Sequence, residues 1–309
     1  MGPKAMNDDR ADQKYELTAR SCEVDGRTLR QIRALRDVAG VGRGDFGGWL
    51  ESEDNLSQEG DCWVGDAARV YAEARVTGCA VVDGAARVVD RARVEGFAWV
   101  TGAAVVSGEA LVVGSAFVEA AGRVSGEAVV GGQGWITGAG RVSGQARVGG
   151  HARVGDAALV AGAANVGGEA MVLNAAMVTD RVVVRDTALV GGVSRVYDRA
   201  WIGGDTQLVG ATVLTGSARL HRTPPRCPRS DGVEFIVVPF AGGGVRVVAE
   251  GRALSFDEAR AHWRAHCDDA SLLRETLDIL DHLERRAALS RMRYSEDSHI
   301  DPSPTRGHS

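Results

Sequence analysis

Two histidine arrangements in this chain of 309 residues have types and spacings that could do chemistry. His151 stands two residues before Arg153, so an imidazole could serve as a general base toward an acceptor hydroxyl beside a guanidinium. His262 and His266 are four apart in a helical pattern, which puts both on one side, with Cys267 and His282 as neighbours. Such a pair could ligate a metal. No HExxH glutamate and no second cluster accompany it, so the pattern reads as a polar helix face and no metal is expected. The Gly-rich run Phe240-Ala-Gly-Gly-Gly-Val-Arg-Val247 lacks GK[ST] and no helix follows it; it reads as strand-turn-strand, not a phosphate loop.

The element that must position His151 is a repeat with a period of six. From Val64 to Leu220 each of the 27 positions at that step is Val, Ile or Leu. The residue four places on is Ala, Gly, Ser or Thr, with Val182 the sole exception. The residue two places on is Gly, Asp, Asn or Ala. Six matches neither the 3.6 of a helix nor the alternation of a long strand. It matches a short strand followed by a sharp corner, with the aliphatic and small residues inward and the corner residue at positive φ. Three corners close a triangle of about eighteen residues, and stacked triangles share parallel hydrogen bonds. The reading is a single-stranded parallel β-helix of about nine coils over residues 62–220.

Residues eighteen apart then stack on one outer face. One face carries Ala67, Ala85 and Ala103 beside Arg69, Arg87 and Arg123; a second is charged, with Glu73, Arg75, Arg91 and Arg93. The third stacks Val81, Trp99, Phe117, Trp135, Arg153, Met171 and Leu189, with Cys79 and Phe97 alongside. So apolar a wall calls for a cover. Either the C-terminal helices fold back on it, or copies of the chain associate through it as a trimer or dimer, or another protein docks there.

Residues 1–13 read as a disordered start and 14–61 as a β-hairpin cap turning at Asp25-Gly26, with Trp49 and Trp63 plugging the open end. Residues 221–230, rich in proline and turn formers, read as a linker. Residues 231–290 read as a ββαα module, with Ser255 and Glu258 forming a capping box, and 291–309 as a disordered tail. Net charge is −5, with no basic footprint for nucleic acid. No apolar run is long enough to span a membrane and no apolar leader precedes the cap. Five scattered cysteines without CxxC point to a reducing compartment, hence the cytoplasm.

The segment Leu29–Val64, LRQIRALRDVAGVGRGDFGGWLESEDNLSQEGDCWV, carries Leu29-Arg30-Gln31, Gly47-Gly48-Trp49, Asn55-Leu56-Ser57-Gln58 and Gly60-Asp61-Cys62-Trp63. These runs, with the repeats, resemble the YdcK-like hexapeptide-repeat proteins of bacteria and of phages or prophages. The resemblance covers most of residues 14–220. It implies a left-handed helix and a transferase label resting on the fold; it brings no established catalytic residue. Hexapeptide acyltransferases place a histidine in a coil or protruding loop at a subunit boundary, which would make His151 the base and acetyl-CoA the donor for O- or N-acetyl transfer. No loop protrudes here, so no substrate pocket is evident. The first expectation is a non-catalytic scaffold without cofactor, assembling through the aromatic wall; the alternative is an acyltransferase.

Overall fold

The computed structural model describes residues 13–38, 40–240 and 244–294. Its body is a parallel β-solenoid. Two-residue strands recur at every sixth position from Trp63–Val64 to Arg219–Leu220 and stack into three sheets, each partner eighteen residues on (Trp99↔Phe117, Val105↔Arg123, Leu111↔Val129). The second residue of each strand is buried and the first faces out. Inside, Val64, Val70, Val76 and their successors meet the small residues Ala68, Ala74 and Ala80, all fully buried.

The interior adjusts where the repeat varies. Ile136 exceeds the usual valine by a methylene, and a Cβ on Gly122 would stand 3.3 Å from its Cγ2. A side chain at Gly122 would crowd that Cγ2 and Val118 Cγ1, also 3.3 Å away, so this coil carries no Cβ there, as close packing demands. Val182, the one large residue at the small position, is also fully buried.

Each corner turns on a residue with positive φ. Glycines fill most of these places; Asp66, Asp90, Asp156, Asn174, Asp180, Asp186 and Asp198 take φ between 49° and 64°. Their side chains do more than tolerate the turn. Asp90 Oδ2 accepts the amide of Gly108 at 2.9 Å, Asp156 that of Asn174 at 2.9 Å, and Asp198 that of Gly216 at 2.7 Å. Each corner carboxylate thus ties down the coil eighteen residues ahead.

The N-terminal segment supplies a tenth, irregular coil. Strands β1 (Tyr15–Val24) and β2 (Arg27–Ala34) form the expected hairpin through Asp25-Gly26, and β2 pairs with a third strand, β3 (Phe46–Leu50). β3 then runs parallel to Arg69–Val70, and Leu56 bridges Val76. The plug of this end is polar as well as apolar: Tyr15 Oη donates to Leu56 O at 2.7 Å, and buried Lys14 Nζ donates to Cys62 O at 2.8 Å. Burial, foremost, pushes the Tyr15 phenol far above its ordinary value, so it stays a donor. Trp63 is buried as expected, but on the outward side of its strand, against β3.

At the other end the expected strand pair is a sheet of four: Arg226–Pro228, Glu234–Pro239, Val245–Ala249 and Arg252–Leu254. One face (Ile236, Val238, Val248) closes the last coil; the other (Phe235, Val237, Val247) packs on α1 (Phe256–His266) and α2 (Ala270–Tyr294). The segment expected as a linker therefore contributes a strand. Its Arg229 is buried, lies 4.6 Å over the Trp263 ring and pairs with Asp231 at 2.7 Å. The pairing holds the Asp231 carboxyl down to about 2. The capping box forms as read: Glu258 N donates to Ser255 Oγ at 3.2 Å and Ser255 N to Glu258 Oε2 at 2.8 Å. α2 continues past residue 290 to Tyr294; the expected disorder of 1–12 and 295–309 lies outside the described residues.

Two substitutions test this account. Val148→Asp puts a charge in the dry interior and is expected to remove several kcal/mol, read as loss of the cooperative melting transition by circular dichroism. Ala120 holds φ 55° with a Cβ, so Ala120→Gly is expected to raise the melting temperature, relieving about 1 kcal/mol. Gly102→Ala, whose Cβ would lie 2.8 Å from Ala120 N, is expected to lower it.

Candidate interaction face and the surroundings of His151

All eight residues expected on the apolar wall share one face. Val81, Trp99, Phe117, Trp135, Arg153, Met171 and Leu189 stand in parallel register, one per coil, and Phe97 sits at the adjoining corner. The C-terminal helices do not cover them: their buried residues pack on the far side of the terminal sheet. The expectation of an intramolecular cover is thus corrected, because that sheet stands between helices and solenoid. Phe97 is 71% exposed, Trp99 47% and Trp135 36%.

The rings form a continuous ladder. Trp99 meets Phe117 edge-on, centroids 5.3 Å apart, and Phe117 meets Trp135 at 6.1 Å. The Arg153 guanidinium lies 4.3 Å above the Trp135 ring. Sequence reasoning missed two carboxylates that orient the indoles. Trp99 Nε1 donates to Asp83 at 2.9 Å and Trp135 Nε1 to Glu119 at 3.0 Å, while Thr137 Oγ1 also donates to Glu119 at 2.8 Å. An acidic residue sixteen places before each of these tryptophans is the signal that could have shown it. Asp83 Oδ1 and Arg153 Nε are buried without a hydrogen-bond partner.

His151 occupies an exposed corner on the flank of this wall. Its backbone amide donates to Gly168 O at 2.7 Å, but among the described residues nothing bonds or orients its imidazole. Beside it runs a groove of about 520 Å3 floored by Gly131-Gly132, Gly149-Gly150 and Gly167-Gly168, with Arg147 and Arg185 at its edges. The first glycine of each pair has no need of positive φ, and a Cβ there would meet nothing closer than 3.4 Å. The groove exists because these three side chains are missing.

His262 and His266 do meet, rings stacked at 4.4 Å, with His266 Nδ1 2.8 Å from His262 O. Desolvation, then the neighbouring His266, lowers the His262 pKa. Cys267 Sγ turns instead to Asp269 O, and His282 lines a separate hollow with Cys227 and Asp278. Among the described residues no three metal-ligating side chains gather.

The lead-in motif works structurally throughout. A Cβ on Gly47 would fall 2.5 Å from Val64 O, and one on Gly48 2.6 Å from Ala68 O, so the pair lets β3 dock on the first coil. Asn55 Nδ2 donates to Ala72 O and Ala74 O, both at 2.9 Å; Gln58 Oε1 accepts from Lys14 N at 2.8 Å. The resemblance to YdcK-like hexapeptide-repeat proteins holds. No family model matches the chain. The uncharacterized acetyltransferase YdcK of Escherichia coli strain K12 is 40% identical over 63 residues, a match spanning 18% of this chain and 19% of that protein. Among solved structures, the UDP-N-acetylglucosamine acyltransferase from Campylobacter jejuni matches 82% of this chain and 86% of its own at 15% identity and a TM-score of 0.30. Its Francisella novicida counterpart matches 52% and 65% at 14% identity and a TM-score of 0.23. The chain has a hexapeptide-repeat parallel β-solenoid fold, and no described helix is long and apolar enough to cross a membrane.

Glu119→Ala removes the acceptor of Trp135 and Thr137. Because the site is exposed, about 1 kcal/mol or less of stability is expected to go. The accompanying change in tryptophan fluorescence anisotropy measures the freed indole.

Proposed function

We propose that the chain is a non-catalytic β-helical assembly protein that self-associates through its aromatic wall. One observation carries this reading: both ends of the rod are sealed by their own caps, while Phe97, Trp99 and Trp135 remain in solvent. A contiguous apolar surface of this kind marks a contact site. Partly screened cysteines, none in a disulfide, fit work in a reducing compartment such as the cytoplasm.

Catalysis finds less support. A general base is usually oriented by a second group, and among the described residues none bonds to the His151 imidazole. The second reading, an acyltransferase using acetyl-CoA, draws on the limited likeness to YdcK and on the glycine-floored groove with Arg147 and Arg185. Guanidiniums there could meet the phosphates of an acyl donor while His151 deprotonated an acceptor.

Light scattering on the purified chain tests both. The wild type is expected above its monomer mass of 32.5 kDa, and Trp99→Arg with Trp135→Arg is expected to return it to monomer with an unchanged melting curve. An unchanged mass in that double variant overturns the assembly reading. Acetyl-CoA is expected to leave the melting temperature where it was; a clear rise, with turnover abolished in His151→Ala, would establish the enzyme instead.

A further inference from the structure

The wall is not uniform along the rod, and its polarity limits how two copies can meet. Asp83 and Glu119 stand toward the N-terminal half, each holding one indole N–H, and among the described residues no basic side chain pairs with either. Arg153 stands toward the C-terminal half, without a carboxylate partner among the described residues. Any packing in which the copies run parallel, two-fold or three-fold, sets each rung beside its own equivalent. Arg153, in the central row, would then face Arg153, in a setting where like charges oppose binding.

We infer that two copies pack wall to wall and antiparallel about a two-fold axis crossing the rod between Phe117 and Trp135. This rests on the self-association proposed above and adds its geometry. The axis reverses the order of rungs, so Phe117 meets Trp135, Trp99 meets Arg153 and Val81 meets Met171. The single cation of the row then comes to the face of an indole whose N–H is already bound to Asp83, so ring and carboxylate both attract it. At the centre two aromatic rungs meet two aromatic rungs. A rotation about this axis keeps each flank on its own side. Phe97 therefore meets His151, and Ser115 meets Gln133.

The overlap runs from the rung of Trp63 to that of Leu189, seven steps of about 4.8 Å, or roughly 34 Å. With a side of one coil roughly 13 Å wide, the two copies together bury on the order of 900 Å², below the range of most stable interfaces. The dimer is therefore expected to dissociate on dilution.

The same rotation brings Cys79 of one copy to Glu169 of the other, whereas within one chain the two lie five coils, roughly 24 Å, apart. Glu169→Cys, paired with the native Cys79, therefore tests the order of rungs in the full chain. Treated with a short bis-maleimide, the dimer is expected to yield cross-links between positions 79 and 169, read by mass spectrometry of the linked peptides. Links joining 79 to 79 and 169 to 169 overturn the antiparallel order while leaving the wall as the contact surface. Arg153→Asp is expected to shift light scattering to monomer mass at every concentration, and Asp83→Arg combined with Arg153→Asp to restore the dimer, each with a wild-type melting curve. A wild type that is trimeric, or monomeric throughout the micromolar range, also overturns the inference. If Trp99→Arg with Trp135→Arg leaves the dimer intact, the wall itself is excluded, and the assembly reading falls with it.

Discussion

The structure depends on one hydrogen-bond ladder, in which the amide of one coil donates to a carbonyl seventeen residues ahead. Val81 N reaches Ala98 O at 2.9 Å, Trp99 N reaches Ala116 O at 2.9 Å, and the pattern continues coil after coil. Such a ladder tolerates no slip within its strands, because one extra residue there would turn the side chains that follow to the wrong face. The interior must then be the same in every coil, with one branched aliphatic and one small residue per side. Neither part is stable alone, since a single coil leaves its interior and both its edges in water.

The same ladder frees the outside. Outward side chains carry no packing duty, yet the register stacks whatever occurs at each eighteenth place. Motifs that look scattered in sequence become ladders in space. Asp180 and Asp198 form one such column, each capping the amide of the next coil at 3.0 and 2.7 Å. Gly131, Gly149 and Gly167 form another and open a groove. The aromatic row is a third. A surface on this fold is therefore written as a period, and two tryptophans 36 residues apart are near neighbours across one phenylalanine.

The solenoid was legible because Val, Ala and Gly repeat in a fixed frame, and the wall followed by arithmetic. The first coil was not, for a simple reason. Leu50 and Leu56 are six apart, but Leu56 and Val64 are eight apart, so two added residues take the opening coil out of the frame. The strand in Arg226–Pro228 was hidden by its flanking prolines, which it accommodates on the edge of its sheet, where no partner needs the missing amides. Arg229, exposed by its type and buried by its setting, could not be read without knowing that Trp263 lies under it. The sequence shows the backbone tolerance of the corner aspartates; their bonds to the next coil need the stacking distance. His151 was legible as a residue and not as a site, because what decides its chemistry is the absence of an orienting partner.

What the likeness to YdcK transmits can be argued from the residues that carry the resemblance. Gly47 and Gly48 admit a strand against the first coil, Asn55 satisfies two carbonyls of the next, Gln58 receives the amide of Lys14, and Cys62 lies 3.1 Å from the Lys14 ammonium. Each is committed to closing one end of the rod, and closing an end is a requirement of any solenoid whatever its outer face does. A chain can therefore keep this motif while its surface diverges freely. The resemblance speaks for the way the coil begins, and the working surface has to be argued from the columns that the coil displays: indoles tethered to carboxylates, a guanidinium over a ring, and a phenylalanine left in water.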